Sequence, residues 1–378
     1  MIPLSSPNLS GNELKYVTEC IETNWVSSVG SYVDKFEKVF AEFVGTKYAV
    51  SVVNGSAALH ISLVLAGVKQ NDYVILPNIT FIASANTTTY TGAKPLLMDV
   101  DIDTWQMDLD LLEKFFAEET EIINKECFYK KDNMRISAIM PVHVLGNIGD
   151  IERLVGIAES NFVKVVEDAT EALGSFYKSK HAGTHGLFGC CSFNGNKIIT
   201  TGGGGMIYTN DEVLAKKAKH ITTQAKSDPF EYVHDEIGYN YRLVNVLAAI
   251  GVAQMEQLPG FIDRKLEVAK LYKRHLSELS QISFQKIGTP DTKPNNWLFT
   301  VKAENQKELM QFLLDHQIQV RPFWVPMNKL EMFKSAVYYH KNDVSNQVYQ
   351  NCVSLPCSTH ITDEEVNFIC SKIKEFYK

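Results

Sequence analysis

The sequence predicts an α/β protein, with a mostly parallel mixed sheet in a large domain and a smaller α/β domain at the C-terminal end. Short β-branched and apolar runs alternate with segments of helical periodicity, which is typical of parallel strands joined by helices. The 378 residues, 45% apolar and 21% charged, are those of a globular protein long enough for two domains. We expect the large domain, with an N-terminal arm, at residues 1–258 and the small domain at residues 259–378.

The first helices are indicated by capping residues and by apolar spacing. Ser10 and Glu13 have the capping-box spacing that begins a helix. Residues 34–43 carry apolar side chains at positions i, i+3, i+4 and i+7, and Gly45 follows as a terminator, so a second helix with a buried aromatic face is predicted. The loop between them, residues 25–31, is expected to reach towards an active site.

The alternation of elements then continues along the chain. We predict strands at 48–53, 72–76, 95–100, 137–142 and 163–167, intervening segments at 56–67, 81–90 and 150–159, and short strands of the small domain at 297–301 and 317–321. Residues 115–136 show no clear period and are interpreted as a surface excursion between strands. Two helices, 243–258 and 261–279, are predicted to connect the domains. A capping box at Thr362 begins the last helix.

One segment places a lysine between a strand and a glycine run. The apolar residues of 190–193 predict a buried strand, and Gly202–Gly205 allows other groups to approach the backbone closely. Lys197 lies between them on a tight connection, five residues after the hydroxyl of Ser192. This arrangement suits a Schiff-base lysine whose carbonyl partner carries a phosphate. A lysine that only caps the end of a strand is the alternative that this segment leaves open.

Two further segments supply groups that complement this lysine. Residues 162–168 are an apolar strand that ends in Asp168, at the carboxyl edge where open α/β sheets bind ligands. Asn54, Gly55 and Ser56 turn a strand into a helix whose first N–H groups attract an anion, and Ser56 can also be its N-cap. A lysine, a carboxylate and a phosphate cradle are together what pyridoxal phosphate requires.

Five ordered motifs resemble those of the pyridoxal-phosphate-dependent nucleotide-sugar aminotransferases of the DegT/StrS type. The motifs are Asn54–Leu59, Glu167–Gly174, Ser192–Lys197, Thr201–Gly202 and Gly238–Arg242. With the loop at 25–30 and the glycine run, the chain looks closest to LegC-like enzymes of legionaminic acid or bacillosamine-type sugar synthesis. The resemblance implies fold type I of the pyridoxal-phosphate-dependent transferases, like aspartate aminotransferase, with the cofactor in the large domain. It also implies a homodimer with shared active sites.

The resemblance assigns cofactor-binding roles to the matching residues. Lys197 would carry the cofactor and move a proton, and Asp168 would keep the pyridine nitrogen protonated. Phe81 would cover the cofactor ring, although a core phenylalanine is the alternative. The other cofactor-binding residues would be Gly55, Ser56, Glu171, Ser192 and, from a second subunit, Asn240. Glu171 stands where much of the family has glutamine or histidine, and it can donate to the phenolic oxygen only if its pKa is raised.

The resemblance further implies a reaction that moves the amino group of L-glutamate to the C4 ketone of a UDP- or GDP-linked 2-acetamido-4-keto-2,6-dideoxyhexose. Arg242 and Arg321 are candidates to pair with the donor carboxylate or the diphosphate, although surface salt bridges are the alternative for each. Trp25 and Ser28 are the other candidate substrate contacts. Two rival functions stay open: a keto-sugar dehydratase on the same scaffold, in which histidine replaces the lysine, and a non-catalytic sensor that keeps the pocket.

The composition argues against other classes of function. The net charge of −7 and the lack of a basic run disfavour nucleic-acid and anionic-membrane partners. Seven cysteines without a C-x-x-C pair indicate reduced thiols, and no targeting segment or long apolar stretch is apparent, so we expect a cytoplasmic protein. The P-loop pattern is absent, and no metal site is expected.

Overall fold

The computed structural model describes residues 1–228 and 230–378 and has the predicted α/β architecture. Helices α1 to α11 span Glu13–Glu22, Ser31–Val44, Gly55–Leu65, Ala83–Tyr90, Leu109–Glu119, Ile151–Ser160, Glu212–Thr222, Asn245–Leu276, Gln306–Asp315, Val344–Asn351 and Asp363–Phe376. Strands β1 to β19 span Tyr48–Val52, Tyr73–Pro77, Lys94–Met98, Thr120–Ile123, Glu126–Tyr129, Met134–Ile139, Lys164–Asp168, Phe176–Tyr177, Lys180–His181, Phe188–Ser192, Gly205–Thr209, Lys226–Asp228, Val233–His234, Ile282–Phe284, Thr292–Lys293, Phe299–Ala303, Arg321–Pro322, Val337–Tyr339 and Cys352–Leu355. Short 3₁₀ turns lie at Val144–Gly146, Met327–Lys329 and Glu331–Phe333.

A large mixed sheet forms the centre of the molecule, in the strand order β1-β11-β10-β7-β6-β2-β3-β18. Five of these seven neighbouring pairs are parallel, and the two that involve β11 are antiparallel. Because β11 runs against both of its neighbours, β1 and β10 point the same way. Strands β1, β7 and β10 therefore end at one edge of the sheet, where β11 begins. The segments that the sequence singled out meet at this edge.

Helices cover both faces of the large sheet. On one face, α3 packs against β7, β10 and β11. On the other, α2 packs against α8, which also contacts α1. The predicted aromatic face of α2 is confirmed as core, because Phe36 and Phe40 are fully buried and their rings contact Phe193 at centroid distances of 5.1 and 5.9 Å. Gly45 ends the helix with a positive φ of 77°.

The C-terminal part of the chain contains a four-stranded antiparallel sheet in the order β14-β16-β19-β17, packed with α9 and α11. The predicted capping box of α11 is confirmed, since Thr362 and Glu365 exchange both side-chain-to-backbone hydrogen bonds. The domain division at residue 258 stays a prediction. That position lies inside α8, and β18 returns from the C-terminal part of the chain to pair with β3 of the large sheet.

Two predicted segments differ from the structure. Residues 115–136 are the end of α5 and the β4–β5 hairpin, which pairs with β6. In the two hairpin strands Thr120, Cys127 and Tyr129 are the buried residues, so strands of four residues each bury too few side chains to show a period in the sequence. The two predicted connecting helices are one helix, α8, which continues through Pro259. Proline costs about 3 kcal/mol there, and the burial of Leu258 and Phe261 on either side offsets it.

The predicted capping box of the first helix is wrong. Helix α1 begins at Glu13 after Asn12, and Ser10 donates instead to Gln257 of α8. The Glu13 carboxylate accepts hydrogen bonds from the side chains of Gln254 and Gln257, so a contact between helices replaces the local cap. In the described part of the chain, no helix combines the length and the apolar character that a membrane-spanning segment requires.

Candidate active site

A cavity of about 330 Å³ lies at the carboxyl edge of the large sheet, and residues from the C-terminal part of the chain form part of its wall. Seven of the predicted site residues line it: Gly55, Ser56, Phe81, Glu171, Ser192, Lys197 and Arg321. They come from the segments after β1, β2, β7 and β10, which end at one edge of the sheet, and from β17. Residues far apart in the sequence therefore share one cavity because of the strand order.

Lys197 is held inside this cavity rather than at the surface. Its loop is closed by hydrogen bonds from Lys197 N to the Asn194 carbonyl and from Thr201 N to the Phe193 carbonyl, both of 3.0 Å. The Lys197 Nζ lies 3.9 Å from Glu171 Oε1 and 3.9 Å from the centre of the Trp297 ring. Burial lowers the pKa of Lys197, and the charge of Glu171 opposes that change. An uncharged amine is therefore easier to reach here than in water.

Asp168 ends β7 and is almost completely buried. Its Oδ2 accepts a hydrogen bond from Ser84 Oγ at 2.7 Å, and its Oδ1 accepts one from Thr170 N at 3.1 Å. The His143 N–H donates to the Asp168 carbonyl at 3.0 Å, which fixes the backbone at the end of the strand. These contacts give the carboxylate one defined orientation, so it can pair with a cationic ring nitrogen.

The start of α3 forms an anion cradle. Asn54, not Ser56, is the N-cap: its Oδ1 accepts from Ala57 N at 2.7 Å, so the Ser56 hydroxyl is not needed for capping. The first N–H groups of a helix have no intrahelical acceptor and attract anions. A Cβ on Gly55 would lie 2.8 Å from Ser192 Cβ, so only glycine fits against the serine that completes the cradle.

The glycine run supports this cradle from the other side. Gly202 has a φ of 80°, which favours glycine. A Cβ on Gly205 would clash with the carbonyl of Asn54 and the amide of Gly55. Gly203 and Gly204 line the cavity. The run therefore lets the start of β11 pack directly against the backbone of the anion cradle.

Glu171 is a fully buried carboxyl at the same cavity. Its Oε2 accepts a hydrogen bond from Leu145 N at 2.8 Å. Leu145 has a left-handed φ of 59°, which costs about 1–2 kcal/mol for a residue other than glycine. Burial raises the pKa of Glu171 to about 7, against the opposing charge of Lys197. The raised pKa meets the condition under which this glutamate can donate a hydrogen bond.

Five predicted site residues do not line this cavity: Asp168, which lies behind Thr170 as described above, and Arg242, Trp25, Ser28 and Asn240. Arg242 is buried, with an ion pair of 2.9 Å to Glu37 and a hydrogen bond to the Ser51 carbonyl, so a structural role replaces the predicted substrate contact. Trp25 and Ser28 lie in the loop whose backbone is fixed by Asn245, outside the cavity. Their substrate contacts stay predictions.

The remaining two predictions concern Phe81 and Asn240. Phe81 is 53% exposed and lines the cavity, so it is not the core phenylalanine that the alternative required. Asn240 is exposed and does not line the cavity of its own chain. Its contact with a second subunit stays a prediction.

The structure adds residues that the sequence did not indicate. Trp297 and Trp324 line the cavity from the C-terminal part of the chain, with their rings nearly parallel at a centroid distance of 6.4 Å. The Trp297 Nε1 donates to the Asn196 carbonyl at 2.7 Å and so ties the lysine loop to this part of the chain. Ser84 had no sequence signal, whereas the aromatic pair after Pro322 could have drawn attention to Trp324.

These residues fit pyridoxal phosphate. The cradle of Gly55, Ser56 and Ser192 suits a phosphate, and the glycine contacts show that the backbone itself is shaped for it. The fixed carboxylate of Asp168 suits the pyridine nitrogen, and Lys197 suits the aldehyde carbon. All three lie at the same edge of the sheet.

Comparisons with known proteins agree with this site. Residues 7–374 match the profile of the DegT/DnrJ/EryC1/StrS aminotransferase family. The GDP-perosamine synthase of Escherichia coli O157:H7 is 39% identical over 379 residues, covering 100% of this chain and 98% of that protein. The GDP-perosamine synthase of Vibrio cholerae is 34% identical, with coverage of 100% and 99%. The crystal structure of the sugar aminotransferase CalS13 from Micromonospora echinospora has a TM-score of 0.88 at 26% identity, with coverage of 99% and 100%.

The family resemblance and the expected cofactor are thus confirmed, while the closer similarity to LegC-like enzymes stays a prediction because the relatives described above are GDP-perosamine synthases. The fold class is confirmed by the solved structures. The chain therefore belongs to the DegT/DnrJ/EryC1/StrS aminotransferase family and is a pyridoxal-phosphate-dependent aminotransferase of nucleotide-linked sugars.

Proposed function

We propose that this enzyme moves the amino group of L-glutamate to the C4 ketone of a GDP-linked 4-keto-6-deoxyhexose. The observation that carries the proposal is the position of Lys197 in one cavity with an anion cradle and, beside it, a fixed carboxylate at Asp168. The sequence left UDP and GDP open. The names of the Escherichia coli and Vibrio cholerae relatives favour GDP.

Different residues of this chain bind different parts of the cofactor. Gly55, Ser56 and Ser192 bind its phosphate, Asp168 pairs with its ring nitrogen, and Lys197 holds its aldehyde carbon. When bound, pyridoxal phosphate supplies a cationic ring that stabilises negative charge on the carbon that gains or loses the amino group. Phe81, at the mouth of the cavity, covers the ring.

Lys197 also holds and moves a proton at its Nζ. An amine with a lowered pKa can be uncharged near neutral pH, and only the uncharged form can accept a proton from substrate. The indole face of Trp297 lies against the Nζ and excludes water from that side. The charged form of the lysine gains from this cation–π contact, which opposes part of the effect of burial on its pKa.

Arg321 is the substrate residue that the cavity supports. It lines the cavity beside Trp324, and one of its guanidinium nitrogens donates only to the neighbouring Val320 carbonyl. Its remaining donors match the paired oxygens of a diphosphate or of the glutamate α-carboxylate. Arg242, in contrast, is engaged with Glu37.

The sugar and its pathway belong to the proposal as well. The resemblance to LegC-like enzymes favours a 2-acetamido group and a legionaminic acid or bacillosamine-type product, whereas the relatives named perosamine synthases favour a GDP-linked perosamine-type product. We give precedence to the second because those relatives align over the whole chain. The enzyme would act in the cytoplasm, where nucleotide-linked sugars are made.

A homodimer completes the proposed enzyme. Large apolar side chains are exposed in the segment that precedes Asn240, the residue that the resemblance assigns to a second subunit, with Phe230 90% and Ile237 84% exposed. Exposed apolar residues of this size mark association surfaces when they lie together. Asn240 lies in the same segment as Ile237, so a second copy that covers this segment would bring Asn240 to its own active site.

A panel assay tests the function. The purified holoenzyme should lose the visible absorbance of its bound cofactor on addition of L-glutamate and regain it with a GDP-linked 4-keto-6-deoxyhexose, and NMR should show a 4-amino product. UDP-linked 2-acetamido-4-keto sugars are the matched alternative substrates. Loss of oxygen at C3 without gain of nitrogen would indicate a dehydratase. An absorbance that does not respond to glutamate would indicate a sensor and contradict the proposal.

A further inference from the structure

One carboxyl oxygen of Glu171 accepts a hydrogen bond from the backbone, and the other has no hydrogen-bond partner among the described residues. Oε2 accepts the Leu145 N–H at 2.8 Å, and Oε1 is the oxygen 3.9 Å from Lys197 Nζ. An oxygen that accepts an amide hydrogen bond in the protonated acid is its carbonyl oxygen, so a proton on this carboxyl would lie on Oε1. The Leu145 contact therefore aims the only proton position towards the lysine.

The Leu145 contact is unusual enough to need an explanation. Leu145 is buried and keeps a left-handed conformation, and the next residue, Gly146, also has a positive φ. Conformations of this kind persist where the surrounding structure holds them, and they cluster at functional sites. Here the result is a single N–H group directed at Glu171.

The surroundings of the pair disfavour two separate charges and favour one shared proton. Both side chains lie away from water, with exposures of 12% for Lys197 and 1% for Glu171. Burial raises the pKa of Glu171 and lowers the pKa of Lys197, so the two values move towards each other. The other titratable groups that face the pair are Asp168 and the thiol of Cys191, and Arg321 lines the same cavity.

We propose that Glu171 and Lys197 share one proton near neutral pH, and that Oε1 of Glu171 receives it when Lys197 becomes an uncharged amine. The step is balanced: the N–H bond of the ammonium breaks, an O–H bond forms on the carboxyl, and the net charge of the pair does not change. A short rotation of the lysine chain closes the 3.9 Å gap. Glu171 is thus a positioning residue that acts through Lys197, beyond the cofactor contact of the proposed function.

This role distinguishes glutamate from glutamine, one of the two residues that the family resemblance implies at this position. Glutamine can donate a hydrogen bond but cannot take a proton from the lysine, so a glutamine at residue 171 would leave the lysine to exchange protons with solvent or substrate. The inference rests on the proposed function, because it takes Lys197 as the residue that reacts with the cofactor.

Infrared spectroscopy tests the shared proton in holoenzyme that has reacted with unlabelled L-glutamate, because Lys197 is then a free amine. With the glutamate residues of the protein ¹³C-labelled at their side-chain carboxyls, we expect a protonated buried carboxyl band that is present at pH 6 and is lost as the pH rises through the Glu171 pKa of about 7. Glu171→Gln should remove this band, and Glu121→Gln, the same chemical change on an exposed strand, should keep it. The pH dependence of the cofactor absorbance should shift by about one unit or more in Glu171→Gln only.

The outcomes separate this inference from the proposed function. If the cofactor attaches to Lys197 but the titrating band is missing from the wild type, or survives in Glu171→Gln, the shared proton is refuted and the proposed function stands. If the cofactor does not attach to Lys197, both fail. A band that disappears in Glu121→Gln as well would assign the titration to another glutamate and also overturn the inference.

Discussion

At the scale of single residues, the two arginines show what a sequence motif does and does not specify. Arg242 and Arg321 were both predicted to bind substrate anions, because the arginine fork suits carboxylates and diphosphates. In the structure Arg242 forms an ion pair with the buried carboxylate of Glu37. This carboxylate also accepts hydrogen bonds from the backbone N–H and the hydroxyl of Ser51. Arg321 lines the cavity. The difference lies in which side chain comes near in three dimensions, and residue type does not reveal it.

Removing Arg242 should therefore reduce stability rather than substrate binding. Arg242→Met leaves the buried Glu37 carboxylate with the half-exposed Lys219 as its remaining charged partner, and we expect a loss of about 1.5–3 kcal/mol in the free energy of unfolding. Denaturant titration measures it. Arg242→Met combined with Glu37→Met should recover part of the loss, because the carboxylate that lost its arginine is removed as well.

The kinetics of the same variant provide the control. The fraction of Arg242→Met that is folded should keep the KM of the wild type for both substrates, whereas Arg321→Met should raise KM with little change in stability. If Arg242→Met kept the stability of the wild type but had a raised KM, Arg242 would bind substrate after all, and the structural role would be contradicted.

At the scale of elements, the active site depends on one close contact between β11 and the start of α3. Gly205 has no room for a Cβ because the backbone of residues 54 and 55 lies against it, whereas a Cβ on Gly203 would find only one atom, 3.9 Å away. The two glycines are two residues apart in one run of identical letters. The sequence predicts that backbone approaches somewhere along this run, and only the packing shows at which position.

This pair of glycines gives a matched test. Gly205→Ala should push the anion cradle out of place and weaken cofactor binding by tenfold or more, since a Cβ there would overlap backbone atoms that cannot rotate away. Gly203→Ala should bind the cofactor as the wild type does. Titration of the cofactor-free proteins with pyridoxal phosphate measures both constants. Equal constants in the two variants would show that the close contact does not shape the cradle.

The individual strands and helices also show why part of the fold could be predicted from the sequence. Asp168 and Lys197 were placed correctly relative to their strands because a buried apolar run that ends in polar residues has few other interpretations. The hairpin at 120–129 was missed because its strands bury few side chains. Helix α8 was divided at Pro259 because local propensity opposes a helix there, and long-range packing outweighs it.

At the scale of the whole molecule, the cavity joins parts that sequence patterns treat separately. Trp297 and Trp324 come from the C-terminal part of the chain, and Leu145 reaches Glu171 through a conformation that no pattern predicts. Such contacts depend on how loops meet after folding, so they could not be read from periodicity. The lysine, the carboxylate and the anion cradle could be predicted from the sequence, because each is a characteristic residue type or motif at the end of a predicted strand.

The proposed homodimer makes a prediction at this same scale. If Asn240 of one subunit completes the site of the other, Lys197→Ala and Asn240→Ala should each be impaired alone, while dimers assembled from both recover activity at the one site that has both residues intact. Mixing the two proteins after mild dissociation, followed by activity measurement, provides the test. No recovery in proven mixed dimers would mean that each chain builds its site alone.

The central claim is that pyridoxal phosphate is held covalently by Lys197, and chemical trapping measures it most directly. The holoenzyme is reduced with borohydride, digested and mapped by mass spectrometry to find the lysine that carries the pyridoxyl group. We predict that the label lies on Lys197 and is absent from Lys197→Ala treated in the same way. A label on another lysine, or an enzyme that retains the cofactor without labelling Lys197, would contradict the account.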